Sequence, residues 1–128
     1  MKTPVLALVL LCSAAGTGLQ AGTITAVQER YRATGAGPFQ FEDGARLWNS
    51  RAYKDRRCAD CHGADLTQPG RHQRTNKPID PMAPSVAIER YTDPDKVEKW
   101  FRRNCRWTWG RECTVQEKGD LLEYLKRL

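Results

Sequence analysis

The sequence predicts an all-α fold of one small domain, and three observations carry that expectation. Helix-start signals recur. Thr92-Asp93-Pro94 couples a cap residue to a proline in the first turn, and Thr114-Val115-Gln116-Glu117 is a capping box. Apolar positions recur at helical spacing: Val97, Trp100 and Phe101 share one face with Asn104, at i, i+3, i+4 and i+7. Finally, no stretch alternates with the two-residue period of a strand, and no repeat or low-complexity tract is present.

Taken in order, the chain opens on a secretory leader. Lys2 precedes an unbroken apolar run, Val5 to Leu11, and the small residues Ser13 to Gly16 follow. That run is far short of the ~20 residues a membrane-spanning helix needs. Cleavage after Ala21 makes residues 1–21 a signal peptide, although Leu19 is bulky for its place and leaves an earlier cut open. Leu11 before Cys12 is too large for a lipidation site. No other segment could cross a membrane, so the expected product is an exported, periplasmic protein that is not integral to the membrane. Residues 22–40 read as an N-terminal helix, Thr25 to Ala33, and a linker broken by Gly35-Ala36-Gly37-Pro38. The main domain spans 41–128. It starts with a helix from Glu42 to Ala52, in which Gly44 lies one turn before Trp48. Leu66 to Ser85 holds no period and contains Pro69, Gly70, Pro78, Pro81 and Pro84; such a long irregular loop is expected to pack on a ligand. The helix opened at Pro94 is expected to end near Asn104, and the one after Thr114 near Arg127.

Between the second helix and the long loop stands Cys58-Ala59-Asp60-Cys61-His62. Cys-x-x-Cys-His is the attachment signature of a c-type haem. Two thiols add across two vinyl groups and become thioethers, and the next residue, His62, supplies a proximal imidazole to the iron. A zinc site would need a second pair of ligands at ligand spacing, and a redox dithiol would need a βαβ pattern around it; neither is visible. Haem c, one per chain and covalently attached through Cys58 and Cys61, is the expected cofactor.

Five cysteines, less Cys12 in the leader and the two haem thiols, leave Cys105 and Cys113. In an oxidising compartment these either pair or stay as two buried thiols. The chain has 21 Lys and Arg against 15 Asp and Glu. The leader removes only Lys2, so the exported protein stays basic. A basic face on a small exported redox protein suits docking to an acidic partner, while many of the charges serve solubility. Nucleic acid is excluded as a partner, since export removes the target and no binding motif appears.

The residues alone leave the iron's sixth position open between Met82, His72, Asn104, water and nothing. Met82, in Pro81-Met82-Ala83-Pro84-Ser85, is placed like the Met loop of an electron carrier, yet it lies only 20 residues past His62. His72 sits in an Arg- and Lys-rich loop. Asn104 ends an otherwise apolar helix face, where an amide either caps the helix or meets something inside. It is 42 residues past His62, far enough to reach the other haem face.

The order of helix, Cys-x-x-Cys-His, Pro-rich loop and two further helices resembles a class I cytochrome c, a small domain wrapped around its haem. Gly44 and Trp48 match the small and aromatic positions where the first core helix of that family crosses the last. More specifically, Pro81-Met82-Ala83-Pro84-Ser85, Lys96-Val97-Glu98-Lys99-Trp100-Phe101-Arg102-Arg103-Asn104-Cys105 and Gly110-Arg111-Glu112-Cys113-Thr114 resemble the sphaeroides haem protein (SHP) family of cytochromes c, over roughly Phe41 to Leu128. The resemblance implies a high-spin haem whose sixth ligand is the asparagine before the first cysteine of a disulfide. Here that is Asn104, with Cys105 bridged to Cys113. It implies that Asn104 leaves on reduction, so that the ferrous haem binds O2, NO or CO. Its redox partners would be a dihaem c-type or membrane b-type cytochrome. Trp100, Phe101, Trp107 and Trp109 would wall the distal side, with Met82 also in the pocket. Arg71, Arg74, Lys77 and Arg103 are candidates to pair with the haem propionates. Arg106-Trp107-Thr108-Trp109 is unusually aromatic for the family and bears on access to the pocket. The functions to separate are an electron carrier with a switchable site, a gas sensor or scavenger without onward electron flow, and a His/Met carrier that uses Met82. Neither histidine is placed as the distal acid or base that oxidase or peroxidase turnover requires.

Overall fold

The structure, a computed structural model, describes residues 18–128. The leader's apolar run and Cys12 lie outside the described residues. Among the described residues are five α-helices: α1 (Gly18–Ala33), α2 (Phe41–Asn49), α3 (Ala59–His62), α4 (Pro94–Trp109) and α5 (Val115–Lys126). A two-residue ladder, β1 (Gly70–Arg71) against β2 (Pro78–Ile79), is antiparallel with Gly70 opposite Ile79. Short 3-10 turns cover Tyr53–Asp55 and Ile88–Tyr91. Among the described residues no helix is long and apolar enough to cross a membrane.

α5 is the spine. Its start is fixed by Thr114: the hydroxyl accepts the Glu117 N–H at 3.1 Å, and the Glu117 carboxylate accepts the Thr114 N–H at 2.8 Å. Leu122 and Leu121 then turn to opposite sides. Leu122 joins Ile24, Val27 and Tyr31 of α1, with Phe39, Tyr91 and Val97, in one core. Leu121 and Leu125 join Trp48, Leu66 and Ala83 in a second. α2 crosses α5 at Gly44, where a Cβ would run into the Asp120 carbonyl and the Tyr124 Cβ. The side chain is therefore limited to a hydrogen, and Trp48 and Phe41 pack on Tyr124 at ring separations of 6.0 and 5.3 Å.

α1 belongs to the same packed body as the segment after residue 41. Gln28 is fully buried; its Nε2 donates to the Gly119 carbonyl at 3.2 Å and to Glu123 at 3.0 Å. Tyr31 donates to Glu98 of α4, and Lys118 of α5 reaches the same carboxylate at 2.7 Å. Buried polar groups that are all paired fix helix register as well as closeness.

Several boundaries differ from the sequence expectation. α1 begins at Gly18 rather than Thr25. α4 does not stop at Asn104. It runs five residues further and ends at Gly110, whose φ of 68° is left-handed and whose N–H bonds to the Arg106 carbonyl at 3.1 Å. The β1–β2 ladder is absent from the sequence reading because two-residue strands carry no alternation to detect.

Candidate haem site

α3 is a single turn. The N–H groups of Cys61 and His62 both bond to the Cys58 carbonyl at 3.2 Å. This places Cys58, Cys61 and His62 at i, i+3 and i+4, side by side on one face. Gly63, at φ 78°, ends the turn. β1 packs on it closely enough that a Cβ at Gly70 would collide with the Cys61 carbonyl. The two thiols are free, not joined to each other. Burial pushes the Cys58 thiol up to about 11. Burial, then the nearby charge of Arg90, pushes His62 down to about 4, so its imidazole is neutral at pH 7, the form that ligates a metal.

These three side chains open onto a cavity of about 900 Å³ between the two cores. Such a volume suits a bound small molecule or cofactor. Cys58, Cys61 and His62 line it from the α3 turn, Met82 from the long loop, and Trp100, Phe101 and Asn104 from α4. Trp100 is 40 % exposed in the protein alone, large for an aromatic side chain on the apolar face of α4. Cys105 is buried and joined to Cys113, with Cα atoms 5.7 Å apart.

The helix boundary bears on Asn104. Because α4 continues to Trp109 and Gly110 supplies the cap, Asn104 sits more than a turn inside the helix and has no capping task. Met82 is differently held. Its N–H bonds to the Leu66 carbonyl at 2.9 Å, and its own carbonyl accepts Tyr91 Oη at 2.6 Å. His72 lines the cavity too, but its Nδ1 accepts the N–H groups of Arg74 and Thr75 at 3.3 and 3.2 Å, which commits that nitrogen to a turn. Arg74, Lys77 and Arg103 reach the cavity; Arg71 does not line it and bonds instead to the Asn76 carbonyl at 3.3 Å.

Arg56 and Arg90 are not distinguished in the sequence. Arg56 lies over the Trp107 ring at 3.6 Å and donates to the Trp107 carbonyl at 3.0 Å, with His72 against the same ring at 5.2 Å. Three separate stretches of chain thus meet on Trp107. Nothing in local sequence distinguishes these arginines from the many solvated ones; only the fold does.

Among the described residues, three buried side-chain polar atoms have no hydrogen-bond partner: Trp48 Nε1, His62 Nδ1 and Arg90 Nε. All three residues line the cavity. Orphaned buried donors are costly and rare, and their concentration around one cavity beside two free thiols is what a site for a covalently bound polar-edged cofactor should show. The residues fit a c-type haem. Among the described residues no group of three His, Cys, Asp or Glu side chains is placed to hold a metal ion by itself.

Comparison with known proteins agrees. Residues 34–125 match a family described as a domain of unknown function, DUF1924. The chain is 43 % identical over 99 residues to cytochrome c-type protein SHP of Cereibacter sphaeroides, covering 74 % of this chain and 76 % of that one. The structure superposes on that of oxidised SHP, an oxygen-binding cytochrome c, with a TM-score of 0.75 and 39 % identity, covering 82 % of this chain and 96 % of the other. It also superposes on the solution structure of Methylophilus methylotrophus cytochrome c'', solved for insight into haem-ligand detachment, with a TM-score of 0.68 and 30 % identity over 82 % and 93 % of the two chains. One covalently bound haem c is the cofactor, and Cys58 and Cys61 fit its attachment.

Proposed function

The chain belongs to the SHP family of monohaem c-type cytochromes, and on that premise we propose that it is an exported, periplasmic electron-transfer protein whose sixth ligand, Asn104, leaves on reduction to admit O2, NO or CO. The observation that carries the reading is the place of Asn104: within α4, facing the haem cavity, and relieved of any capping role by Gly110. SHP is described as oxygen binding and cytochrome c'' in terms of haem-ligand detachment, which supports both halves of the proposal.

When bound, the haem would supply a one-electron iron centre. The neutral imidazole of His62 and the amide oxygen of Asn104 would hold its iron, and the amide is a hard neutral donor suited to ferric and poorly suited to ferrous iron by the softness argument. The Cys105–Cys113 bridge holds the backbone next to Asn104, so the side chain moves rather than the helix. Trp100 and Phe101 limit water on that side. Met82, tied through its backbone to Leu66 four residues beyond His62, is in this reading a packing residue of the pocket.

The test is the variant Asn104→Ala. Its ferric optical and EPR spectra should lose the six-coordinate signature while the ferrous form still binds CO. An unchanged ferric spectrum rules Asn104 out as the ligand, and a near-infrared charge-transfer band of the Met type in the wild type would pass the role to Met82. Carrier and gas sensor are separated by the rate of reduction with a c-type or b-type cytochrome partner; a rate no faster than with an unrelated cytochrome removes the carrier reading.

A further inference from the structure

We propose that Arg90 binds a haem propionate within the cavity and that its charge raises the midpoint potential of the iron. The argument is a count of donors. A guanidinium carries five N–H groups and keeps its charge at every accessible pH. Arg90 spends Nη2 on the Asp80 carbonyl at 2.8 Å. Its Nε is sealed from solvent and has no partner. No carboxylate lies within ion-pair distance of it among the described residues. The residue as a whole is half-buried, but a buried N–H of its guanidinium left without an acceptor costs the desolvation of that group, and an acceptor brought from outside the polypeptide relieves it. The cofactor brings two carboxylates to this cavity. Nε together with the remaining N–H of Nη2 forms the fork that grips a carboxylate with two parallel hydrogen bonds.

The other cations of the lining are accounted for. Arg74, Lys77 and Arg103 are exposed to solvent. Arg56 is engaged with Trp107. Arg57 is paired with Asp60 and Arg106 with Glu112, each at 2.7 Å. Arg90 is also held in place in advance. It stands in the Ile88–Tyr91 turn, whose Tyr91 hydroxyl is fixed to the Met82 carbonyl, and its own Nη2 is fixed to Asp80. The fork therefore loses little freedom when the carboxylate arrives. A fixed positive charge at the cofactor favours the reduced, less positive iron.

The inference rests on the haem, not on Asn104, and its test uses the holoprotein. Arg90→Gln should lower the midpoint potential by about tenfold in the reduction equilibrium, 59 mV for one electron, and move the propionate bending band in resonance Raman. Arg90→Lys should keep most of the potential. An unchanged potential in Arg90→Gln overturns the proposal, and so do equal shifts in both variants, because shape rather than charge would then be at work. Should Arg90→Gln fail to mature, the wild type decides: NOE contacts between the Arg90 side chain and propionate methylene protons are expected, and their absence overturns the assignment. The ferric axial-ligand spectrum, read on the same samples, reports on Asn104 separately.

Discussion

Single side chains divide the labour around the cavity, and each makes a prediction. Asn104 was visible in the sequence as a polar intruder on an apolar helix face, but its two readings, cap and ligand, could not be separated there. The structure removes the cap by moving the helix end to Gly110. Trp107 was visible only as excess aromaticity. In the fold it joins α4 to Arg56 and His72, which lie on either side of the haem-attachment turn. A ring held by Arg56 and His72 at the cavity lining narrows the way in, so Trp107→Ala should speed CO association with the ferrous protein several-fold in flash photolysis. An unchanged rate means that ligands take another route. Arg90 shows the limit of sequence reasoning at this scale. What marks it is a buried atom without a partner, and burial is a property of the fold.

At the scale of elements, the strongest sequence signals were those in which chemistry is local. The capping box of α5 and the Asp93-Pro94 start of α4 needed only a few neighbouring residues to be read. Asp93 does cap α4, accepting the Asp95 N–H at 2.9 Å. The end of α4 was misjudged because an asparagine before a cysteine looked like a terminus, while the better stop, Gly110, lay inside an expected disulfide loop. The ladder Gly70–Arg71 with Pro78–Ile79 was invisible for lack of length. Two predictions follow from element contacts. Gly44→Ala drives a methyl group into the backbone of α5 and should destabilise the protein by about 1–3 kcal/mol, measured by denaturant unfolding of the holoprotein. A wild-type midpoint would mean that the α2–α5 crossing is looser than described. The second concerns acid. The Arg111 hydrogen bonds to Glu117 hold its carboxyl below the usual range, against some burial, with the Thr114 N–H helping. A depressed folded value means stability that is present at neutral pH and lost as pH falls below the unfolded value of about 4.3 and through the folded one. Glu117→Gln should therefore flatten part of the acid limb of the stability curve; an identical limb would assign that loss to other carboxylates.

As a whole, the molecule is two small cores on either side of α5 with a cofactor cavity between them. The fold class and the haem attachment could be read in the sequence because the motif that binds the cofactor is contiguous and its geometry is one helical turn. The distal side was not legible in the same way. It is assembled from α4, the Pro-rich loop and the segment before Cys58, which only tertiary packing brings together. The Cys105–Cys113 bridge ties the far end of α4 to the start of α5 across an eight-residue separation. The chain-entropy argument gives a loop this short about 2–3 kcal/mol. Replacing both cysteines by serine should lower stability by that order and also broaden the ferric axial-ligand spectrum, since the backbone beside Asn104 is freed. A stability loss with an unaltered spectrum would separate the bridge from the ligand.

The central proposal is that the Asn104 side chain changes its position with the oxidation state of the iron. Crystal structures of the holoprotein in the ferric and the ferrous state test it most directly. The expected result is the Asn104 amide oxygen at bonding distance from ferric iron and withdrawn from ferrous iron, with α4 otherwise unmoved. The same sixth ligand in both states, whether Asn104 or Met82, would contradict it.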